Sequence, residues 1–234
     1  MSPLRLTLVF ITALVVAIVA RAPMTAGLAL AGLGDSLTAR EAHGTIWSGR
    51  LVKASLGATP LGEVRARLSP GRLLTGRPAI DMTARGGAID GRGRLLLGGS
   101  PGVEGFTGSI PLEQFGAPAP FGGTLVLKSA GFAFSNGACR RAAGQASAEV
   151  RGFGDTPMTL TGRPECRGKA LVLPLSGERD GVRVDVSLSL EPRGGYATET
   201  RVATADAALG EVLLAARFTK TGEGYVKINK GRLA

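Results

Sequence analysis

From Ser36 onward the chain alternates between apolar and polar residues with period two, which places the two sets of side chains on opposite faces of extended strands. The clearest run is Val182-Arg183-Val184-Asp185-Val186-Ser187-Leu188-Ser189-Leu190-Glu191, where every apolar residue falls on one face. Tyr196–Val202 alternates less cleanly, Val212, Leu214, Ala216 and Phe218 mark a further strand face, and Tyr225–Asn229 reads as a final strand. Turn signals recur at short intervals: Gly71, Gly76, Gly86-Gly87, Gly98-Gly99, Gly122-Gly123, Asp180-Gly181, Gly194-Gly195 and Gly222. Gly and Asp-Gly at this rhythm set hairpins. Within this body the helix candidates, Pro111–Phe115 and Thr204–Leu209, are short, and the crossover helices that a parallel sheet requires are missing. The pattern predicts an all-β body, an antiparallel meander forming an open twisted sheet or β-groove. Comparable numbers of strands lie before and after about residue 130, so one continuous sheet and two sandwiches both fit.

The front end follows a different pattern. Arg5 precedes Leu6–Ala20, fifteen uncharged and mostly large apolar residues closed by Arg21. A positive n-region before an apolar h-region sends a chain across a membrane. Fifteen residues give roughly 22 Å of helix, short of the ~30 Å hydrocarbon core, and Leu4 with the stems of Arg5 and Arg21 extends the reach. The cleavage contexts are poor: Arg21 follows Ala20 at once, and Pro23 follows Ala22. An uncleaved signal anchor is therefore favoured over a cleaved signal peptide. The expected division is a cytoplasmic head and transmembrane anchor over residues 1–21 and an exported β-rich domain over residues 22–234, with two subregions meeting near 130. Residues 22–34, rich in Ala, Gly and Leu, suggest a short helix at the membrane surface.

Composition narrows the chemistry. The 234 residues are 44% hydrophobic and 20% charged, with 36 glycines and only 5% aromatics. That is a foldable balance with enough chain for a real core. The single histidine, His43, excludes multi-histidine metal sites, and two cysteines cannot build an all-cysteine zinc site. A pair of cysteines in an exported chain, here Cys139 and Cys166, reads as a disulfide, with two buried free thiols as the alternative. The net charge of +10 falls to +8 once Arg5 and Arg21 are assigned to the membrane segment. Arg140-Arg141 is the densest basic spot, a candidate for an anionic partner. Basic clusters interleaved with aromatics are missing, so no nucleic-acid partner is expected. Anionic headgroups or an acidic protein face suit this charge better.

Each candidate for catalysis has a plainer explanation. His43 lies in Glu41-Ala42-His43-Gly44, beside a turn-like glycine, and the chain has no Gly-x-Ser-x-Gly elbow to supply a nucleophile. Gly91-Arg92-Gly93 lacks the Gly-Lys-Ser/Thr ending of a phosphate loop and fits a β-hairpin. Glu178 and Asp180 flank Gly181 in a hairpin turn, where acidic residues are common. The expectation is no enzyme, no catalytic residue, no metal and no cofactor.

Gly44-Thr45-Ile46-Trp47-Ser48-Gly49-Arg50-Leu51 holds the only Trp and resembles the Gly-Thr-Leu-Trp-x-Gly signature of type II secretion system protein N. Arg21-Ala22-Pro23 after the apolar span, Cys139 and Gly144 with Gly162, Cys166 and Gly168, and the ending Gly224-Tyr225-Val226 to Gly231-Arg232-Leu233 are similar to that family as well. The resemblance implies a single-pass inner-membrane protein with a β-rich body in the periplasm. It implies an accessory part of the apparatus that exports folded proteins through an outer-membrane secretin, with the secretin and inner-membrane platform proteins as partners. Gly44, Trp47 and Gly49 are then signature residues with a structural or contact role, Trp47 being read chiefly as a packing anchor. The rival expectation is an envelope protein that handles lipid or glycolipid in an apolar β-groove, AsmA-like in composition and topology. Leu95-Leu96-Leu97 and Leu171-Val172-Leu173, apolar on both faces, are compatible with such a groove.

Overall fold

The computed structural model describes residues 10–11, 20–23, 37–56, 59–115, 121–153 and 156–232. The expected span Leu6–Ala20 and the suggested surface helix over residues 22–34 lie almost wholly outside these residues. Among the described residues no helix is long and apolar enough to cross a membrane.

The body is one antiparallel sheet of sixteen strands. In chain order these are β1 (Leu37–Thr38), β2 (Glu41–Thr45), β3 (Ser48–Leu56), β4 (Thr59–Leu68), β5 (Ala79–Arg85), β6 (Asp90–Leu96), β7 (Gly102–Pro111) and β8 (Gly122–Ser135). They continue with β9 (Ala138–Arg151), β10 (Met158–Gly162), β11 (Glu165–Arg167), β12 (Ala170–Arg179), β13 (Val182–Leu190), β14 (Gly195–Ala203), β15 (Thr219–Thr221) and β16 (Gly224–Arg232). From β3 to β14 each strand pairs with the next in sequence, except that β11 pairs β12 beyond the end of β10. β16 slots between β14 and β15, and β1 and β2 share the outer edge of β3. β8 runs through residue 130 with ladders on both sides.

One cross-strand row shows why the sequence folds this way. Leu51, Val64, Ala84, Gly91, Gly108, Leu127, Ala146, Gly162, Leu175, Val186, Thr200 and Lys227 stand opposite one another, strand after strand. All of them share a face, because register preserves the period-two alternation across every ladder. Along this row the face is apolar from β3 to β13 and turns polar at Thr200 of β14 and Lys227 of β16. It is also concave: the Phe121 ring, just before β8, meets Phe218, just before β15, at 5.8 Å between centroids although they belong to opposite ends of an eight-strand run. The main core lies inside this curl, around Leu125, Ala148, Leu160, Leu173, Val184 and Val202. A second cluster, Leu51, Ala54, Leu61 and Val64, covers the same face near β3 and β4.

Helices are confined to connections. Helix α1 (Pro70–Leu74) fills the β4–β5 turn marked by Gly71, and Leu112–Phe115 forms a single 3₁₀ turn. Helix α2 (Ala207–Ala215) corrects the reading of Val212, Leu214 and Ala216 as a strand face. Asp206 caps it, its side chain accepting from the amides of Ala208 and Leu209, and Ala and Leu favour helix where an N-cap is supplied. The buried positions are Gly210 and Leu213, while Val212 and Leu214 are exposed. Gly122-Gly123 also departs from expectation, since both lie inside β8 rather than at a turn.

A split runs through the sheet between β9 and β11. β10 pairs β9 only from Ala146 to Val150, and past Gly162 the chain leaves β9 at Arg163-Pro164. β11 pairs β12 alone, so residues 138–145 of β9 have a ladder on one side only, apart from the Cys139 amide donating to the Lys169 carbonyl at 3.0 Å. The Cys139–Cys166 disulfide, with Cα atoms 5.4 Å apart, closes this split at its far end. It packs among Phe134, Leu171, Phe132 and Leu190.

Candidate functional site

The signature residues form the β2–β3 hairpin. Thr45 pairs Ser48, so Ile46 and Trp47 are its two turn residues, and Gly44 stands directly opposite Gly49. Gly44 has φ +95°, and a Cβ there would sit 2.3 Å from the Ser48 carbonyl oxygen, so no other residue fits this close backbone approach. Trp47, read from the sequence as a packing anchor, is half-buried at this turn. The Ile46 amide donates to the Ala22 carbonyl at 3.0 Å, and Pro23 bridges Thr45, which ties the chain after the N-terminal segment to the hairpin.

Beside the hairpin lies a depression of about 510 Å³ bordered by His43, Gly44, Ser48, Gly49, Arg50, Arg65, Arg67, Asp81 and Thr83. On the convex face, opposite the apolar row, His43, Arg50, Arg65, Thr83 and Arg92 stand opposite one another from β2 to β6. Like charges directly across a ladder repel. Glu63 offsets the pair by reaching Arg50 at 2.6 Å and Arg65 at 2.8 Å, and the hydrogen bond from Arg65, then that from Arg50, overcomes partial burial to lower the Glu63 pKa. Arg67, Arg85 and Arg92 are exposed and make no ion pair with a described residue. The result is a surface with spare positive charge around a floor of small residues.

Arg140 and Arg141 do not belong to this depression. Arg141 Nη2 lies 3.4 Å from Glu104 Oε1, and Glu104 Oε2 lies 3.3 Å from Arg72 Nη2 and 3.5 Å from Arg94 Nη1. Arg94 also bonds Asp81 at 2.7 Å. Arg140 is exposed and unpaired among the described residues. Partial burial pushes the Glu104 carboxyl up, but the hydrogen bond from Arg141 and the charges of Arg72, Arg141 and Arg94 outweigh it and leave the pKa lowered. A lowered carboxylate contributes stability above its unfolded pKa and loses it as pH falls through the folded value. Glu104→Gln is expected to cost about 1 kcal/mol at neutral pH. The gap to the wild type should narrow as pH falls through and below the ordinary carboxylate range, as urea unfolding at neutral and at acid pH checks.

The other candidates resolve simply. His43 is exposed and pairs with Glu41 at 3.2 Å. Gly91 and Gly93 lie in β6, where a Cβ at Gly91 would meet the Phe106 ring at 2.8 Å, so these glycines make room for an aromatic ring from β7. Glu178 ends near the Asp180-Gly181 turn between β12 and β13. Among the described residues no group of His, Cys, Asp and Glu is placed to hold a metal.

The sequence raised an apolar β-groove in general terms, with Leu171 and Leu173 among its compatible residues, and the structure locates one on the concave face. Ile89, Val103, Phe106, Ile110, Leu127 and Phe132 face Pro164, Leu171, Leu173, Leu188 and Leu190 across a groove of about 310 Å³. A smaller chamber of about 80 Å³ adjoins it through the shared residues Leu125, Leu173 and Leu188 and ends on Thr198, Thr200, Lys227 and Asn229. The alternation of Tyr225, Lys227 and Asn229 within β16 was the signal that places Lys227 on the inner face.

Compared with known families, the chain matches the one described as type II secretion system (T2SS), protein N, over residues 35–229. The chain belongs to that family. The match runs from just before β1 into β16 and so takes in all of the sheet but the end of β16, with the signature hairpin and both cysteines. Neither a curated protein nor a solved structure matches the chain. Membership ties the protein to type II secretion and to the cell envelope, and it favours the secretion reading over the lipid-handling rival. The family is a component of the secretion apparatus rather than a known enzyme.

Proposed function

We propose that this protein is an accessory component of the type II secretion apparatus, anchored in the inner membrane by residues 1–21 and carrying residues 22–234 in the periplasm. It acts by binding other subunits, the secretin or the inner-membrane platform proteins, and not by catalysis. The observation that carries the reading is the arginine surface beside the family's signature hairpin. Arg50 and Arg65 share one carboxylate, Glu63, while Arg67, Arg85 and Arg92 have none. Such a surface offers fork-shaped donors to acidic side chains of a partner. The tie from Ala22 and Pro23 to the hairpin supports this reading, since an anchor over residues 1–21 would then lie close to this surface. Arg140 and Arg141 extend the basic character towards β9, and Gly44, Trp47 and Gly49 hold the hairpin in shape.

The test reverses charge at exposed positions outside the ion pairs. Arg67→Glu, Arg85→Glu and Arg92→Glu combined should weaken co-purification with the secretin and platform subunits by roughly tenfold or more at physiological salt. Secreted protein should fall in parallel while the protein's own level and melting temperature hold. Unchanged co-purification and secretion in that variant would overturn the arginine surface as the docking face.

A further inference from the structure

The concave groove offers a second site. We propose that it binds the acyl chain of an anionic lipid, with the hydrocarbon between β7–β8 and β12–β13 and the anionic head at the Thr198–Lys227 end. This is a binding property of a secretion component, additional to subunit docking and independent of it.

The polarity of the walls selects the occupant. Along its length the groove shows only apolar side chains, Phe106, Leu127, Phe132 and Leu188 among them. The backbone groups beneath are engaged in the β7–β8 and β12–β13 ladders. A peptide lying there would bury its own amides and carbonyls without partners, at a cost of ~1–3 kcal/mol each. A hydrocarbon brings no such groups and removes apolar wall from water. The polar groups gather at one end instead. Thr198 is only 8% exposed, lines the chamber, and its Oγ1 has no hydrogen-bond partner. A buried hydroxyl left in that state points to a ligand atom. Lys227 stands two residues from Asn229 on the same inner face, one cross-strand position from Thr200. Its ammonium donates to the Ala216 carbonyl at 2.8 Å and sits 5.7 Å from the centre of the Phe218 ring, which leaves donors for an incoming oxygen. No carboxylate lines either cavity. An apolar trough ending in a hydroxyl and a cation complements an amphiphile with one anionic head.

The full-length protein in maltoside micelles is titrated with cis-parinaric acid, whose fluorescence rises on entering an apolar site, and with its uncharged methyl ester. Expected are saturable one-to-one binding of the acid and displacement by phosphatidylglycerol rather than phosphatidylcholine. Lys227→Met should weaken the acid about tenfold, or 1.4 kcal/mol, and leave the ester unchanged. Leu188→Trp, filling the trough where the two cavities join, should remove both ligands. Leu127→Trp replaces it if circular dichroism shows that Leu188→Trp misfolds. Three results would each overturn the proposal: no saturable binding to folded protein, equal effects of Lys227→Met on acid and ester, or wild-type binding in a folded trough-filling variant. Displacement of the probe by a purified secretion subunit but not by phosphatidylglycerol would reassign the groove to a protein segment. Loss of subunit docking in the arginine variant with parinarate binding intact keeps the two sites separate.

Discussion

Replacing Cys139 and Cys166 together by serine is expected to lower the unfolding free energy by about 3–4 kcal/mol, the loop-closure entropy of a bridge across 27 positions. The loss should show as a lower denaturant midpoint, and reduction of the wild type should reproduce it. Its local signature distinguishes this bridge from a staple between two strands that are already paired. Residues 138–145 of β9 have no ladder towards β11, and Pro164 at the departure point has no amide to offer one. Without the sulfur link, the Cys139 amide bond to Lys169 is left to hold that end of the split. Amide exchange in the double serine variant should therefore rise most over residues 138–145 and 165–170. Uniform acceleration across the sheet, with no excess there, would show that the bridge acts through the unfolded chain alone.

Leu160→Ala should be comparably damaging, at about 3–4 kcal/mol. Leu160 has no solvent exposure and lies in β10, between Ala148 of β9 and the β12 side chains of the main core. Ladders hold β10 on both sides, so the backbone cannot move inward to fill the space left by the three missing carbons. Ile228→Ala is the control: it is 56% exposed on the opposite face of β16, and its change should stay within about 0.5 kcal/mol. Urea midpoints with unchanged slopes are the measurement, and equal losses at the two positions would contradict the assignment of the concave face as the buried one.

These two residues also show what was legible from the chain. Leu160 and the β13 run from Val182 to Leu190 sit in alternating sequence; burial follows it around Leu160 and from Val182 to Val184, while Asp185 to Leu190 are all half-buried. Alternation misled at Val212, Leu214 and Ala216 because a short stretch of Ala and Leu satisfies period two by accident. The Asp206 cap and the spacing of Leu209 and Leu213 decide for the helix instead. Gly122-Gly123 looked like a turn because glycine pairs usually are. In β8 the space is taken by the neighbouring strand: a Cβ on Gly123 would lie 2.0 Å from the Glu149 carbonyl oxygen. The disulfide followed from export and cysteine count, whereas the split that it closes depends on where β10 ends, which periodicity does not report. The Glu104 cluster draws on Arg72 of α1, Arg94 of β6 and Arg141 of β9, residues brought together only by the order of the strands and the placement of α1. Of the candidate site, Gly44 and Gly49 were visible as a motif, but the exposed arginines beside them needed the register.

The placement of β16 orders the events of synthesis. From β3 to β14 each hairpin can zip onto the previous one as the chain is delivered, because its partner is already there, and local pairing of this kind forms quickly. β14 is different: its free edge waits for β16, which lies beyond α2 and β15. Until β16 arrives, the nascent sheet ends in an unpaired strand, the arrangement that invites pairing with another chain. A chain truncated before Gly224 therefore leaves a sticky edge exposed, and the docking of β16 is the step that seals it.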